Sequence, residues 1–260
     1  MASFAKDLYG KVVMITGGAA GTGRATALLL AEAGASLALV DTETNHGEDT
    51  AMEAKERGGD AVFVKADVTE IREIDHAVSK TLEKFGKIDA LVNNAGANLV
   101  ADVEETEEFD FDRIVDVNFK GAFFCSKAVI PVMKKQGGGA IVNVASVSAH
   151  VGQPMQAAYA GTKGAVLGMT KAMAMELAPY NIRVNSVSPG AVEAPMLRSC
   201  MEMQFEARGI SIEEVRKELA REGMIEKSPD GMAPIVLFLC SDKASSITGV
   251  AFLVDAGWFE

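Results

Sequence analysis

Tyr159 and Lys163 stand four residues apart in the stretch AAYAGTKGAV, and Ser146 lies thirteen residues before the tyrosine. On a helix, positions i and i+4 share a face, with Cβ atoms about 5–6 Å apart. A phenol beside an ammonium can move a proton, because the positive charge favours the phenolate. Free phenol titrates near about pH 10. The pairing therefore predicts a tyrosine shifted toward acid–base work at neutral pH, with the lysine lowering its pKa. The same spacing also occurs on ordinary surface helices, so its weight depends on the elements that carry it.

Those elements alternate regularly. Apolar β-rich runs at 11–16, 36–41, 61–67, 88–94, 140–146, 182–188 and 250–256 are separated by helical patterns at 23–33, 45–57, 70–85, 109–135 and 157–177. A long charged helical region follows the sixth run. Runs rich in Val, Ile and Leu suit strands buried on both faces of a parallel sheet. Seven of them joined by helical crossovers predict an α/β fold: a single-domain, doubly wound, Rossmann-like seven-stranded parallel sheet with helices on both faces. No repeat or linker divides residues 1–260, and the charged stretch 194–228 is expected to be a substrate lid. In such sheets ligands bind beyond the carboxyl ends of the strands. That rim holds the loops after Thr16, Asp41, Asp67, Asn94, Ser146 and Ser188.

The first strand runs into TGGAAGTG, residues 16–23. Glycines permit positive φ and close backbone approach, and the following helix start offers amides to a phosphate. Gly17, Gly21, Thr22 and Gly23 are therefore candidate cofactor contacts, with the Thr22 amide facing a pyrophosphate and its hydroxyl adding a contact. Asp41 ends the second strand, where an acid accepts bonds from a ribose and repels a 2′-phosphate. Neither Ala20 nor Thr42 supplies the cation that such a phosphate needs. NAD rather than NADP is the expected cofactor. Asp67 and Val68 are placed to flank an adenine, and Asn94, Ala95 and Gly96 to lie against the dinucleotide.

A net charge of −11 disfavours nucleic acid and anionic membrane as partners. No apolar run is long enough to span a bilayer, and MASFAKDLYG lacks a signal-peptide core. Cys125, Cys200 and Cys240 show no metal-ligand spacing and read as reduced packing residues, so no metal is expected. A cytoplasmic location is the expectation.

With these motifs in order, the chain resembles the classical short-chain dehydrogenases/reductases from Lys11 to about Trp258. TGGAAGTG is similar to the family's cofactor loop; NNAG at 93–96, Asn118 in VDVNFKG, Ser146, Tyr159-x-x-x-Lys163, Pro189-Gly190 and the tail ITGVAFLVDAGW follow at family-like spacing. The resemblance implies a catalytic tetrad of Asn118, Ser146, Tyr159 and Lys163. Tyr159 would exchange the proton of a secondary alcohol as hydride passes to or from the nicotinamide. Ser146 would hold the substrate oxygen, Lys163 the nicotinamide ribose, and Asn118 a water leading to solvent. Pro189, Gly190 and Val192 join the cofactor set. A homotetramer is also implied. The chain departs from the family at Thr22, often apolar there, and at Ala194, where a Thr-x-Met segment is common.

The substrate wall is expected after Ser146 and after Pro189. Ser148, His150, Gln153, Met155, Met196 and Arg198 are the candidates, and Trp258 is close enough to the end of the chain to reach an active site. Their mixture suggests a small secondary alcohol or ketone with a further polar group: a cyclic diol, polyol or hydroxy acid. A 3-oxoacyl-(acyl-carrier-protein) reductase-like enzyme is the competing activity, disfavoured by Asp41 and by the acidic chain. A non-catalytic NAD-sensing scaffold is the competing class.

Overall fold

The computed structural model describes residues 6–191, 195–209, 211–221, 228–255 and 257. Seven parallel strands form one sheet in the order β3-β2-β1-β4-β5-β6-β7. They are β1 (Val12–Thr16), β2 (Ser36–Asp41), β3 (Asp60–Lys65), β4 (Ala90–Asn93), β5 (Gly139–Val144), β6 (Ile182–Pro189) and β7 (Ala251–Val254). The helices are α1 (Gly21–Glu32), α2 (Thr44–Glu56), α3 (Ile71–Phe85), α4 (Glu108–Val115), α5 (Ala122–Gln136), α6 (Ala157–Leu177), α7 (Pro195–Arg208), α8 (Ile212–Arg221) and α9 (Ala233–Cys240).

Both sheet faces are covered, as the unbroken apolar strands require. Val13 and Ile15 of β1 join a core containing Leu28 and Leu30 of α1, Ala51 of α2 and Val236 of α9. Met14, between them, points to the other face, where Ile74 of α3, Val129 of α5 and Val166 and Met173 of α6 pack. The alternation follows from the period of two along a strand. Order reverses at β1, which pairs with β2 on one side and β4 on the other. The crevice at such a reversal is where a doubly wound sheet binds ligands.

Three expectations need correction. Strands β3 and β5 stop at Lys65 and Val144, so Asp67 and Ser146 sit in the loops beyond them rather than at the last strand positions. The helical pattern 109–135 is not one helix. A π-helical segment, Asp116–Gly121, separates α4 from α5 and carries Asn118; such bulges recur at functional sites. Helix α9 was not foreseen, because eight apolar residues alone do not distinguish helix from strand. By contrast, α6 begins and ends where its pattern does. Its chain reverses after Ala178-Pro179-Tyr180, with Asn181 left-handed at φ 56°.

Candidate active site

The turn after β1 is built from close backbone approaches. Gly17 has φ 66°, and a Cβ on Gly23 would lie 1.9 Å from the Gly17 carbonyl oxygen. Ala20, at the N-cap of α1, makes no side-chain cap, so the first amides of that helix are left for another acceptor. Gly21, with φ 53°, opens the helix. The Thr22 hydroxyl is engaged by the neighbouring β4 loop. It donates to Asn94 Oδ1 at 2.9 Å, and Asn94 Nδ2 donates to the Thr16 and Gly17 carbonyls at 3.2 and 2.9 Å. Thr16 Oγ1 accepts from the Asn94 and Ala95 amides in turn. Thr22 and Asn94 thus clamp the glycine turn to the β4 loop, where Ala95 and Gly96 are half-buried.

At the end of β2, Asp41 Oδ2 accepts from the Ala19 amide at 3.0 Å and Oδ1 from the Glu43 amide at 3.1 Å. A carboxylate has about four acceptor sites, so two such bonds leave capacity for a ribose. Asp67 is occupied differently: Oδ1 accepts from both the amide and the hydroxyl of Thr69 at 2.8 Å. Val68 is buried in the core beneath it, close to Gly121. Pro189 ends β6 at the rim, and just beyond it the Gly190 amide donates to the Val254 carbonyl. Val192, Ala194 and Trp258 lie outside the described residues.

One strand further along, Ser146, Tyr159 and Lys163 are brought together and buried, with exposures of 8%, 7% and 3%. Lys163 Nζ donates to the Val144 carbonyl at 3.0 Å and lies 5.9 Å from the Tyr159 ring centroid. Asn118 is tied in through Thr162. Its Nδ2 donates to Thr162 Oγ1 at 3.0 Å and to the Ala97 carbonyl, its Oδ1 accepts from the Ala97 amide, and Thr162 Oγ1 donates to the Tyr159 carbonyl. The π-helical segment is thereby fastened to the helix that carries the tyrosine.

The electrostatics of this cluster overturn one expectation. Burial pushes the Tyr159 phenol up to about 12, against a downward pull from its hydrogen bond with Ser146. Burial also pushes Lys163 down to about 8. With both groups removed from water and the lysine bonded to a carbonyl, desolvation is the largest influence on each. In this state the tyrosine is a neutral acid, and Ser146 is the neighbour that acidifies it.

The substrate candidates divide. Ser148 is buried and central: its Oγ lies 3.3 Å from Ser146 Oγ and donates to Gln153 Oε1 at 2.9 Å. His150 Nε2 pairs with Ser188 Oγ at 3.0 Å. Met155 is half-buried in a turn with φ 62°. Arg198 is exposed on α7; Met196 lies on the same helix, its side chain outside what is described. Two residues not foreseen join the cluster. Gln156, the N-cap of α6, is buried beside Ser148. Cys200 of α7 is 5% exposed, and its sulfur accepts from Gln156 Nε2 at 3.6 Å and Gln204 Nε2 at 3.8 Å. A signal existed for Gln156: it stands three residues before the tyrosine at a helix start, yet is not a capping residue type. Nothing local marked Cys200.

Among the described residues no His, Cys, Asp or Glu group is placed to hold a metal, and no helix is long and apolar enough to cross a membrane. A dinucleotide does fit the rim: a helix start with free amides, a glycine cradle that one added methyl would fill, and an acid at the end of β2. A nucleotide cradle at the point of strand reversal, beside a buried cluster of serine, tyrosine and lysine, is an arrangement suited to a dinucleotide-dependent oxidoreductase. The short chain dehydrogenase family model matches residues 11–204, and the chain belongs to that family of oxidoreductases. It is 40% identical over 248 residues to cyclopentanol dehydrogenase of Comamonas sp. (strain NCIMB 9872), covering 95% of this chain and 96% of that one. The fold superposes with a TM-score of 0.91 on NAD+-bound xylitol dehydrogenase, 35% identical, covering 96% of this chain and 99% of the other. It also superposes with a TM-score of 0.86 on the NADH complex of a 3-ketoacyl-(acyl-carrier-protein) reductase from Brucella melitensis, 39% identical, covering 96% and 99%.

Proposed function

We propose that the protein is an NAD-dependent oxidoreductase interconverting a small secondary alcohol and its ketone, with Tyr159 as the acid or base. The observation that carries this reading is the buried contact of Tyr159 with Ser146, with the Lys163 ammonium within reach of the ring. The amides at the start of α1 would hold the pyrophosphate, Asp41 the adenosine ribose, and Lys163 the second ribose. When bound, NAD supplies the hydride acceptor or donor and, in its oxidised form, a positive charge. The chain's own part is the proton. In reduction the neutral phenol, favoured by burial, gives its proton to the ketone oxygen while Ser146 Oγ holds that oxygen and steadies the developing charge. In oxidation the phenolate must form, which a protonated Lys163 favours, so alcohol oxidation needs Lys163 charged and Tyr159 ionised together. The π-helical segment holding Asn118 would open the proton path to solvent, and α7 and α8 would close over substrate as a lid.

The xylitol and cyclopentanol dehydrogenases support a small alcohol or its ketone as substrate. The carrier-protein reductase remains the second activity to separate, and its complex with NADH means that the choice of NAD does not exclude it. The acidic chain still disfavours docking of an acidic carrier. Replacing Tyr159 by Phe, with NADH absorbance and NAD titration as readouts, tests the proposal. We expect turnover to fall by roughly 10³-fold or more, at the upper range of acid–base contributions, with NAD affinity unchanged. Turnover within about tenfold of the parent would refute the assignment.

A further inference from the structure

Helix α2 carries a threonine on a buried face that otherwise holds only glycine and alanine: Gly47, Thr50, Ala51 and Ala54. The small residues let the helix lie close on the sheet. A Cβ on Gly47 would meet the Phe63 ring of β3 at 2.1 Å, and Thr50, three residues on, shares that face. Thr50 is 1% exposed. In a helix a threonine hydroxyl ordinarily returns to a carbonyl of its own preceding turn, as those of Thr81 and Thr170 do. That of Thr50 reaches out of its helix instead, and donates to the Ala19 carbonyl in the glycine turn at 3.1 Å.

Ala19 is the middle of that turn. The amides of Gly17 and Gly18 before it are fastened to the Val40 carbonyl, and Ala20 after it is the N-cap of α1. Ala19 is buried and tied on both sides: its carbonyl to Thr50, and its amide to Asp41 Oδ2 at 3.0 Å. The other carboxylate oxygen, Oδ1, accepts from the Glu43 amide two residues on, which is a local turn. One oxygen of the acid is therefore set by its own loop and the other by Ala19. Without the Thr50 hydroxyl, the Ala19 carbonyl would be a buried acceptor with no donor, and the turn would gain by moving it toward water. That movement takes the adjoining amide off the carboxylate.

We propose that Thr50 is a specificity-determining residue set behind the glycine turn: through Ala19 it holds the Asp41 carboxylate in the orientation that accepts from the adenosine ribose and repels a 2′-phosphate. This rests on Asp41 as the ribose acid and extends the choice of cofactor to a residue of the next helix. Thr50 acts through another group and is a positioning residue.

The test reads ribose recognition directly, by calorimetric titration of ADP and 2′-deoxy-ADP, beside the NAD-over-NADP ratio of kcat/KM. Thr50→Val keeps the branched shape and removes the hydroxyl; Thr50→Ser keeps the hydroxyl and removes the methyl. In Thr50→Val the preference for ADP over 2′-deoxy-ADP and the NAD-over-NADP ratio should each fall by roughly fivefold. In Thr50→Ser both should stay within about twofold of the parent. A packing role alone would lower the unfolding temperature of both variants and leave the two ratios in place. Thr50→Ala, also without the hydroxyl, carries the same expectation should Thr50→Val fail to fold. In the Asp41→Ala background, loss of the hydroxyl should change neither ratio further, and a further fall there overturns the route through the carboxylate. Ratios unmoved in the hydroxyl-free variants, or lowered equally in Thr50→Ser, overturn the role of Thr50. A parent that does not distinguish ADP from 2′-deoxy-ADP overturns the ribose reading of Asp41 beneath it.

Discussion

The two halves of the crevice are made of different material. The cofactor half is backbone: glycines 17, 21 and 23, the uncapped start of α1, and side chains such as Asn94 and Asp41 that hold main-chain groups in place. The substrate half is side chain: Ser146, Ser148, Gln156, Tyr159 and Cys200, drawn from β5's loop, α6 and α7. A dinucleotide is the same molecule in every enzyme that uses it, so a fixed backbone mould serves. A substrate differs between enzymes, and side chains can change without moving the chain. The first half should therefore be intolerant of small steric changes, and the second of changes in polarity.

The largest expected effect at the cofactor half is Gly23→Ala. The new methyl would meet the Gly17 carbonyl at 1.9 Å and Asn94 Nδ2 at 2.5 Å, so the turn must open. NAD affinity should fall on the order of 10²-fold, about 3 kcal/mol, when measured by fluorescence titration. An affinity within about threefold of the parent would mean that the mould is softer than its contacts imply, and the contrast between the halves would fail. A smaller change is expected for Asp41→Ala. Loss of the carboxylate removes both a ribose acceptor and the repulsion of a 2′-phosphate. The NAD-over-NADP ratio of kcat/KM should drop by roughly tenfold, and a ratio unchanged from the parent would remove Asp41 from the ribose.

The same contrast explains what the sequence makes legible. Strand and glycine patterns are local, so β1, its turn and the limits of α6 follow from neighbouring residues. Asp41 and the Tyr159-x-x-x-Lys163 spacing are equally local. Gln156 and Cys200 meet across forty-four residues of chain, and no periodicity predicts such a meeting. The break at Asp116–Gly121 depends on an i to i+5 register that leaves the helical composition unchanged. The bond from the Thr22 hydroxyl to Asn94 was not legible either, because Asn94 comes from another strand. The sign of the Tyr159 shift required knowing that both members of the pair are buried, which spacing alone does not report.

That buried pair gives the smallest and most discriminating prediction, on stability rather than turnover. Lys163 titrates at 10.5 when solvated and at about 8 in the fold. Between these values the unfolded chain keeps a proton that the native chain has released, so stability rises with pH across that window. The unfavourable contribution is full below about 8 and absent above 10.5; two to three pKa units correspond to about 3 kcal/mol as an upper bound. Tyr159 has the opposite sign: raised from 10.0 to about 12, it makes stability fall across that higher range. Urea unfolding of the protein without cofactor, at intervals from pH 7 to 10, should show the parent gaining on Lys163→Met as pH rises. The bond to the Val144 carbonyl is lost in the variant at every pH, so it offsets the two curves without changing how they diverge. Parallel curves would mean that Lys163 keeps its charge at no cost. The substrate half would then be as well matched internally as the cofactor half.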